Sequence, residues 1–234
     1  MKRILARLIP LLLLCAVVMP AHAAVTPEYV LLVGGPSLMK WEKYKAQPHD
    51  NWWANFVRAA RIRTEQVRTK YGPDVKITWL VYKQGYLDRA AQENQDLISH
   101  INSVRDAFHL NLVWFHDGKD VIDYLNNGQP RDQVKVAFFE YFGHSNKACF
   151  MFDYSSNIES ACKSWLHESE LTKIARSSFT KDAEVRSWGC HTGESMSKKW
   201  RSAVGNKMYG AIGKTQFMTD ELPVLCSPGG KWAY

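Results

Sequence analysis

Six short strand-like runs, some of them continuously apolar and each closed by glycine, proline or a polar cluster, limit what this chain can build. They are Tyr29 to Val33, Val75 to Tyr82, Leu110 to His116, Val134 to Phe142, the residues leading to Cys190, and Lys207 to Ile212. Continuous rather than alternating hydrophobicity fits strands buried on both faces, as in parallel sheets. The segments between them have helical period. Residues 51–70 place Trp53, Phe56, Val57, Ala60 and Val67 mostly on one side, with Asp50 as the expected cap and Gly72-Pro73 as the stop. Residues 88–108, 119–126, 168–178 and the stretch after Cys190 read as further helices. The segment 147–154 reads as a small hairpin, and the tail beyond Ile212 as irregular. Strands alternating with helices predict an α/β fold: a three-layer sandwich around a mostly parallel central sheet. There is no internal repeat or low-complexity linker, so residues 24–234 are expected to form one domain.

The first 23 residues read differently. Lys2, Arg3 and Arg7 precede the apolar run Leu8 to Met19, and Ala21-His22-Ala23 ends the segment. A basic start, a short apolar core and a small-x-small ending predict a secretory signal peptide, with an uncleaved anchor as the alternative. The expected product is exported, periplasmic or extracellular, and free of the membrane after cleavage. Cleavage removes three basic residues and no acidic one, taking the formal charge from +7 to +4. The basic residues are scattered over helix faces, which argues against nucleic acid as a partner. No residue pattern calls for a cofactor.

Four cysteines follow the leader: Cys149, Cys162, Cys190 and Cys226. In an oxidising compartment an even count suggests disulfides. Cys149 and Cys162 bracket a short loop and form the natural pair. Cys190 then either bonds Cys226 or stands as a reactive thiol, and the count does not decide between these.

Two of the strand ends carry chemistry. Val134 to Phe142 ends in Gly143-His144-Ser145, and the strand 183–188 ends in Gly189-Cys190-His191-Thr192-Gly193. In α/β folds ligands bind at the carboxyl ends of the strands. A histidine and a cysteine on successive strand tips are a candidate base and nucleophile. A helix expected near Glu194 would set its positive end near the Cys190 sulfur, and backbone N–H groups of the glycine-rich turn can serve an oxyanion.

The order strand, His, hairpin, helix, strand, Cys, helix, strand resembles the caspase-like cysteine peptidases, the clan of caspases, legumains, clostripain, gingipains, separases and CHAT-domain proteases. VKVAFFEYFGHS corresponds to the His block, CFMFDYS to the hairpin, HESELTKI to the intervening helix and EVRSWGCHTGES to the Cys block. The Cys-x-Thr-Gly run is similar to that of CHAT proteases. The likeness is close over residues 134–213 and looser before them. It implies that Cys190 attacks a peptide carbonyl, that His144 handles the protons, and that N–H groups at Ser145 and in the Gly189-Cys190 turn hold the oxyanion. Asp153 and Glu194 would favour a basic residue in a protein or peptide substrate. The clan normally has glycine directly after the histidine; here Gly143 precedes His144 and Ser145 follows it.

Three other readings compete. Gly143-His144-Ser145 partly matches the G-x-S-x-G nucleophile elbow, but Lys147 stands at its last position. His116, Asp117, His144, Cys190 and His191 could gather around zinc, although no metal-ligand spacing supports it. A catalytically silent module of the same fold could bind peptide or glycan through tryptophans such as Trp41, Trp52 and Trp53, with Cys190 disulfide-bonded or inert.

Overall fold

In a computed structural model, residues 25–43, 50–154, 163–217 and 220–234 are described. The leader 1–23 and Cys162, with its expected bond to Cys149, lie outside the described residues. The elements in chain order are β1 (Thr26–Val33), α1 (Met39–Glu42), α2 (Asn55–Tyr71), β2 (Lys76–Tyr82), α3 (Lys83–Glu93), α4 (Leu97–Phe108), β3 (Asn111–Phe115), α5 (Gly118–Asn127) and β4 (Val134–Phe142). They continue with β5 (His144–Ser145), β6 (Cys149–Met151), β7 (Trp165–His167), β8 (Phe179–Ser187), α6 (Met196–Val204), β9 (Met208–Ile212), β10 (Thr215–Gln216), β11 (Val224–Leu225) and β12 (Lys231–Ala233).

Seven strands form the main sheet in the order β12-β9-β8-β4-β1-β2-β3. Six run parallel, and β12 closes one edge antiparallel to β9. The protein is thus α/β with a large, mostly parallel central sheet and helices packed on both faces. The central strands β1 and β2 are apolar over most of their length because both of their faces are buried. In β1, Val30 and Leu32 point into one core and Tyr29, Leu31 and Val33 into the other. Val121, Ile122 and Leu125 of α5 and Met196, Trp200 and Val204 of α6 fill the first core. Phe56 and Val57 of α2, Tyr86 of α3 and Leu97 and Ile101 of α4 fill the second.

The strand order positions the site. From β1 the chain winds outward through β2 and β3, then returns to lay β4 on the other side of β1. Outside the carboxyl ends of β1 and β4 the connections diverge, which is where α/β sheets open a binding crevice.

Several expected elements differ. The single helix 88–108 is two, because Asn94 adopts a left-handed conformation (φ 52°) and Asp96 caps the second through Ser99 N–H. The helix 168–178 is two short 3-10 turns, Glu168–Lys173 and Arg176–Ser178. The first is closed by a reciprocal cap between His167 and Glu170 and ended by Ile174 in extended conformation. The hairpin 147–154 contributes β6 to a three-stranded sheet, β5-β6-β7. The tail is ordered by the β10-β11 pair and by β12. Among the described residues no helix is long and apolar enough to cross a membrane.

Candidate active site

His144 stands immediately past β4, beside the loop that follows β1. Its Nε2 lies 2.8 Å from Asp50 Oδ2 and 3.2 Å from Ser37 Oγ. Its ring stacks on Tyr154 (4.3 Å between centroids) and meets Phe56 edge-on at 4.9 Å. Asp50 is buried, and it does not cap α2 as the sequence suggested: α2 begins at Asn55 without a side-chain cap. Its carboxylate instead accepts from Ser37 N–H at 2.7 Å and Asn55 Nδ2 at 2.9 Å as well as facing His144. Burial alone pushes the Asp50 carboxyl up. The bond to His144, its charge, Ser37 N–H and Asn55 outweigh that and hold it below the ordinary 3.8. An ionised carboxylate can only accept, so Nε2 carries the hydrogen. In the neutral ring Nδ1 then holds the lone pair.

The loop carrying Asp50 is itself fixed. Arg89, fully buried on α3, donates to the carbonyls of Ser37, Asp50 and Asn51 and pairs with Glu93. Asp50 N–H faces Glu42, which is also buried. Tyr86 hydroxyl donates to Gly34 O, and its own pKa is pushed well up by burial and by the Asp50 charge.

Because the folded-state Asp50 is more acidic than the unfolded one, folding favours its ionised form. That stabilisation is whole above the ordinary value of 3.8 and is lost as pH falls through the folded-state value. The urea midpoint is expected to drop as pH is lowered below 4, and to drop less in Asp50→Asn; denaturation curves between pH 3 and 6 check this.

Cys190 follows β8, the strand next to β4, and is half-buried. Among the described residues no two cysteines are bonded to each other, so the bond between Cys190 and Cys226 is not formed. Burial, first of all, raises the Cys226 thiol, and Cys190 nearby adds to the rise. Thr215 N–H donates to Cys190 Sγ at 3.4 Å, and Thr215 Oγ1 lies 3.6 Å from it while donating to Trp188 O at 2.7 Å. Among the described residues no hydrogen bond links Sγ to the His144 ring.

The two strand tips nevertheless meet. Ser145 Oγ donates to Cys190 O at 2.7 Å. A Cβ on Gly189 would stand 2.1 Å from Ser145 Oγ and 2.9 Å from Gly143 O, so glycine there permits the close approach of the tips. His191, next to the thiol, holds a left-handed backbone (φ 62°), uncommon outside glycine. The turn it makes lets its N–H reach Gly213 O and its Nδ1 reach Glu194 at 2.6 Å.

Other expected roles change. The helix after Cys190 starts at Met196, six residues on, too far for its dipole to reach the sulfur strongly. Glu194 closes the turn, bonding His191 and Gly213 N–H, and the His191 bond is the main cause that holds its carboxyl low. Asp153 is buried beside β6, its backbone paired with Lys163 and Ser164. Ser145 lies in extended β5 with no helix after it, so no nucleophile elbow forms. Among the described residues no group of three His, Cys, Asp or Glu side chains gathers as a metal site. Trp52 is exposed and Trp53 stacks on His100, while the Trp41 side chain lies outside the described residues. Asp50 and Ser37 were missed in the sequence because their partner lies about a hundred residues away. The polar residues closing the β1 loop were the only local signal.

No family model, curated protein or solved structure matches this chain.

Proposed function

We propose that the protein is an exported, caspase-like cysteine peptidase in which Cys190 is the nucleophile and His144 the proton-transfer group. One observation carries the reading. Adjacent parallel strands β4 and β8 end in a histidine anchored by a buried carboxylate and in a cysteine, with Ser145 and Gly189 locking the tips together. The strand order, the antiparallel edge and the His-then-Cys sequence support the caspase-like assignment. The separate hydrogen bonding of Sγ and imidazole suits a mechanism in which the two act from opposite sides of a bound peptide. His144 takes the thiol proton of Cys190, the thiolate attacks the scissile carbonyl, and a thioester forms as the C–N bond breaks and His144 passes that proton to the leaving amine. Water then hydrolyses the thioester. In this reading N–H groups of the Gly189-Cys190 turn and of Ser145 serve the oxyanion, with Gly189 N–H released from Ser187 Oγ. Asp50 fixes the ring and its tautomer.

The same separation of thiol and imidazole also favours the silent binding module, and one experiment decides between them. The folded, non-reduced protein is labelled with iodoacetamide and mapped by peptide mass. Labelling of Cys190 faster than that of Cys226, slowed about tenfold or more by His144→Ala, is the expected result. Cys190 reacting like an ordinary buried thiol, with no change in His144→Ala, refutes the peptidase.

A further inference from the structure

The second core face is unevenly covered. On it α2 packs over β1 and β4, and α3 and α4 lie over the strands beyond. Among the described residues no helix covers β8, β9 and β12 there, since α6 lies on the other face. Side chains on a strand alternate, so Glu184 and Arg186 of β8 and Trp188 just past its end share the uncovered side, while Ala183 and Val185 enter the opposite core. Between them, α2 and Leu222 a cleft of about 470 Å³ opens, within the usual range for small-molecule sites.

The charges in this cleft are unequally satisfied. Glu140 is buried: Oε1 pairs with Arg63 at 2.6 Å, and Oε2 accepts from Trp188 Nε1 at 2.7 Å. Arg186 stands directly across the sheet from Glu140 and in register with Tyr209. Its guanidinium lies over three rings instead: Trp188 at 4.7 Å, Trp232 at 5.4 Å and Tyr209 at 5.6 Å. Among the described residues its side chain makes no hydrogen bond or ion pair, not even with Glu184, two positions away on the same face. Stacking occupies the faces of a guanidinium and leaves its N–H edge outward, in the planar fork that fits a carboxylate. Glu140 is engaged elsewhere, so the half-buried Arg186 can exchange water on its N–H groups for the carboxylate of a ligand.

We infer that this cleft is a binding site for a small carboxylate with an apolar body, the carboxylate received by Arg186 and the body lying against Trp188 and Leu222. The site stands independently of the chemistry proposed for Cys190, because none of the groups named is a reacting group.

Tryptophan fluorescence tests it, since Trp188 and Trp232 both touch Arg186. The purified protein is titrated with 3-phenylpropionate, with 3-phenylpropanamide and with phenylphosphonate. The expected result is saturable quenching by the carboxylate, with the amide and the phosphonate each weaker by roughly tenfold or more. Arg186→Gln is expected to lose that preference. Arg186→Lys, which keeps the charge without the fork, is expected to bind the carboxylate more weakly than the native protein. Circular dichroism shows whether each variant is folded; if Arg186→Gln is not, the lysine variant and the amide comparison on the native protein decide. Equal binding of carboxylate and amide, equal binding of phosphonate, no saturation, or unchanged affinity in a folded Arg186 variant overturns the site.

Discussion

Asp50→Ala is expected to destabilise the protein by about 3–5 kcal/mol, the usual cost of removing one partner of a buried ion pair. The substitution takes away the acceptor of three groups at once: His144 Nε2, Ser37 N–H and Asn55 Nδ2. Water does not readily replace it, because the carboxylate is buried beneath the β1 loop. Urea denaturation at pH 7 reads the loss, and a change below about 1 kcal/mol would show that the carboxylate does not anchor the loop. Asp50→Asn separates stability from chemistry. The amide keeps the shape, but Oδ2 serves both Ser37 N–H and His144 Nε2, so an amide N–H turned toward the ring selects the other tautomer and gives up the bond from Ser37 N–H. If His144 moves protons through Nδ1, peptide hydrolysis by the folded Asp50→Asn variant falls by about 10²–10⁴-fold. The pH dependence of its rate also moves. A purely structural Asp50 would leave both unchanged in the folded fraction.

Arg89→Ala is expected to have an effect of the same size, about 3–5 kcal/mol, for a different reason. Arg89 is fully buried, and its guanidinium gathers the carbonyls of Ser37, Asp50 and Asn51 into one fan of acceptors. Removing it strands these carbonyls and the Glu93 carboxylate together. Arg89→Lys returns a charge but only a compact donor head, so it recovers a part of the loss and not the whole. The arginine touches no candidate reacting group and acts as a positioning residue. In both variants Cys190 labelling is expected to lose its dependence on His144, because Asp50 is no longer held against the ring. Thermal denaturation combined with the labelling assay reads both effects. Arg89→Ala with native stability would show that the loop is fixed by other contacts.

The two variants probe one chain of support: α3 holds the β1 loop through Arg89, the loop holds Asp50, and Asp50 holds His144 at the tip of β4. The parallel sheet makes the chain short, since β1 and β4 are neighbours although about a hundred residues separate them.

The sequence by itself determined the six parallel strands of the main sheet and the two residues on their tips. A strand buried on both faces must be apolar at every position, so Tyr29 to Val33 and Val134 to Phe142 stand out without any partner. The glycines beside His144 and Cys190 mark where the strands end. Helix limits were less legible, because the break at Asn94 and the short turns of 168–178 depend on single backbone conformations that several residue types adopt. Only the tertiary structure decided which strands are neighbours and which charges meet. Asp50 has the local signature of a helix cap, and it became the partner of His144 because β1 and β4 pair at the point where the winding reverses. Arg186 carries no mark in the sequence; its setting arises where Trp188 at the end of β8, Tyr209 of β9 and Trp232 of β12 converge on a face that no described helix covers. Hydrophobic period is a local property and can be read along the chain. A hydrogen bond or an ion pair across the sheet depends on strand order, and strand order is fixed only when the two cores close.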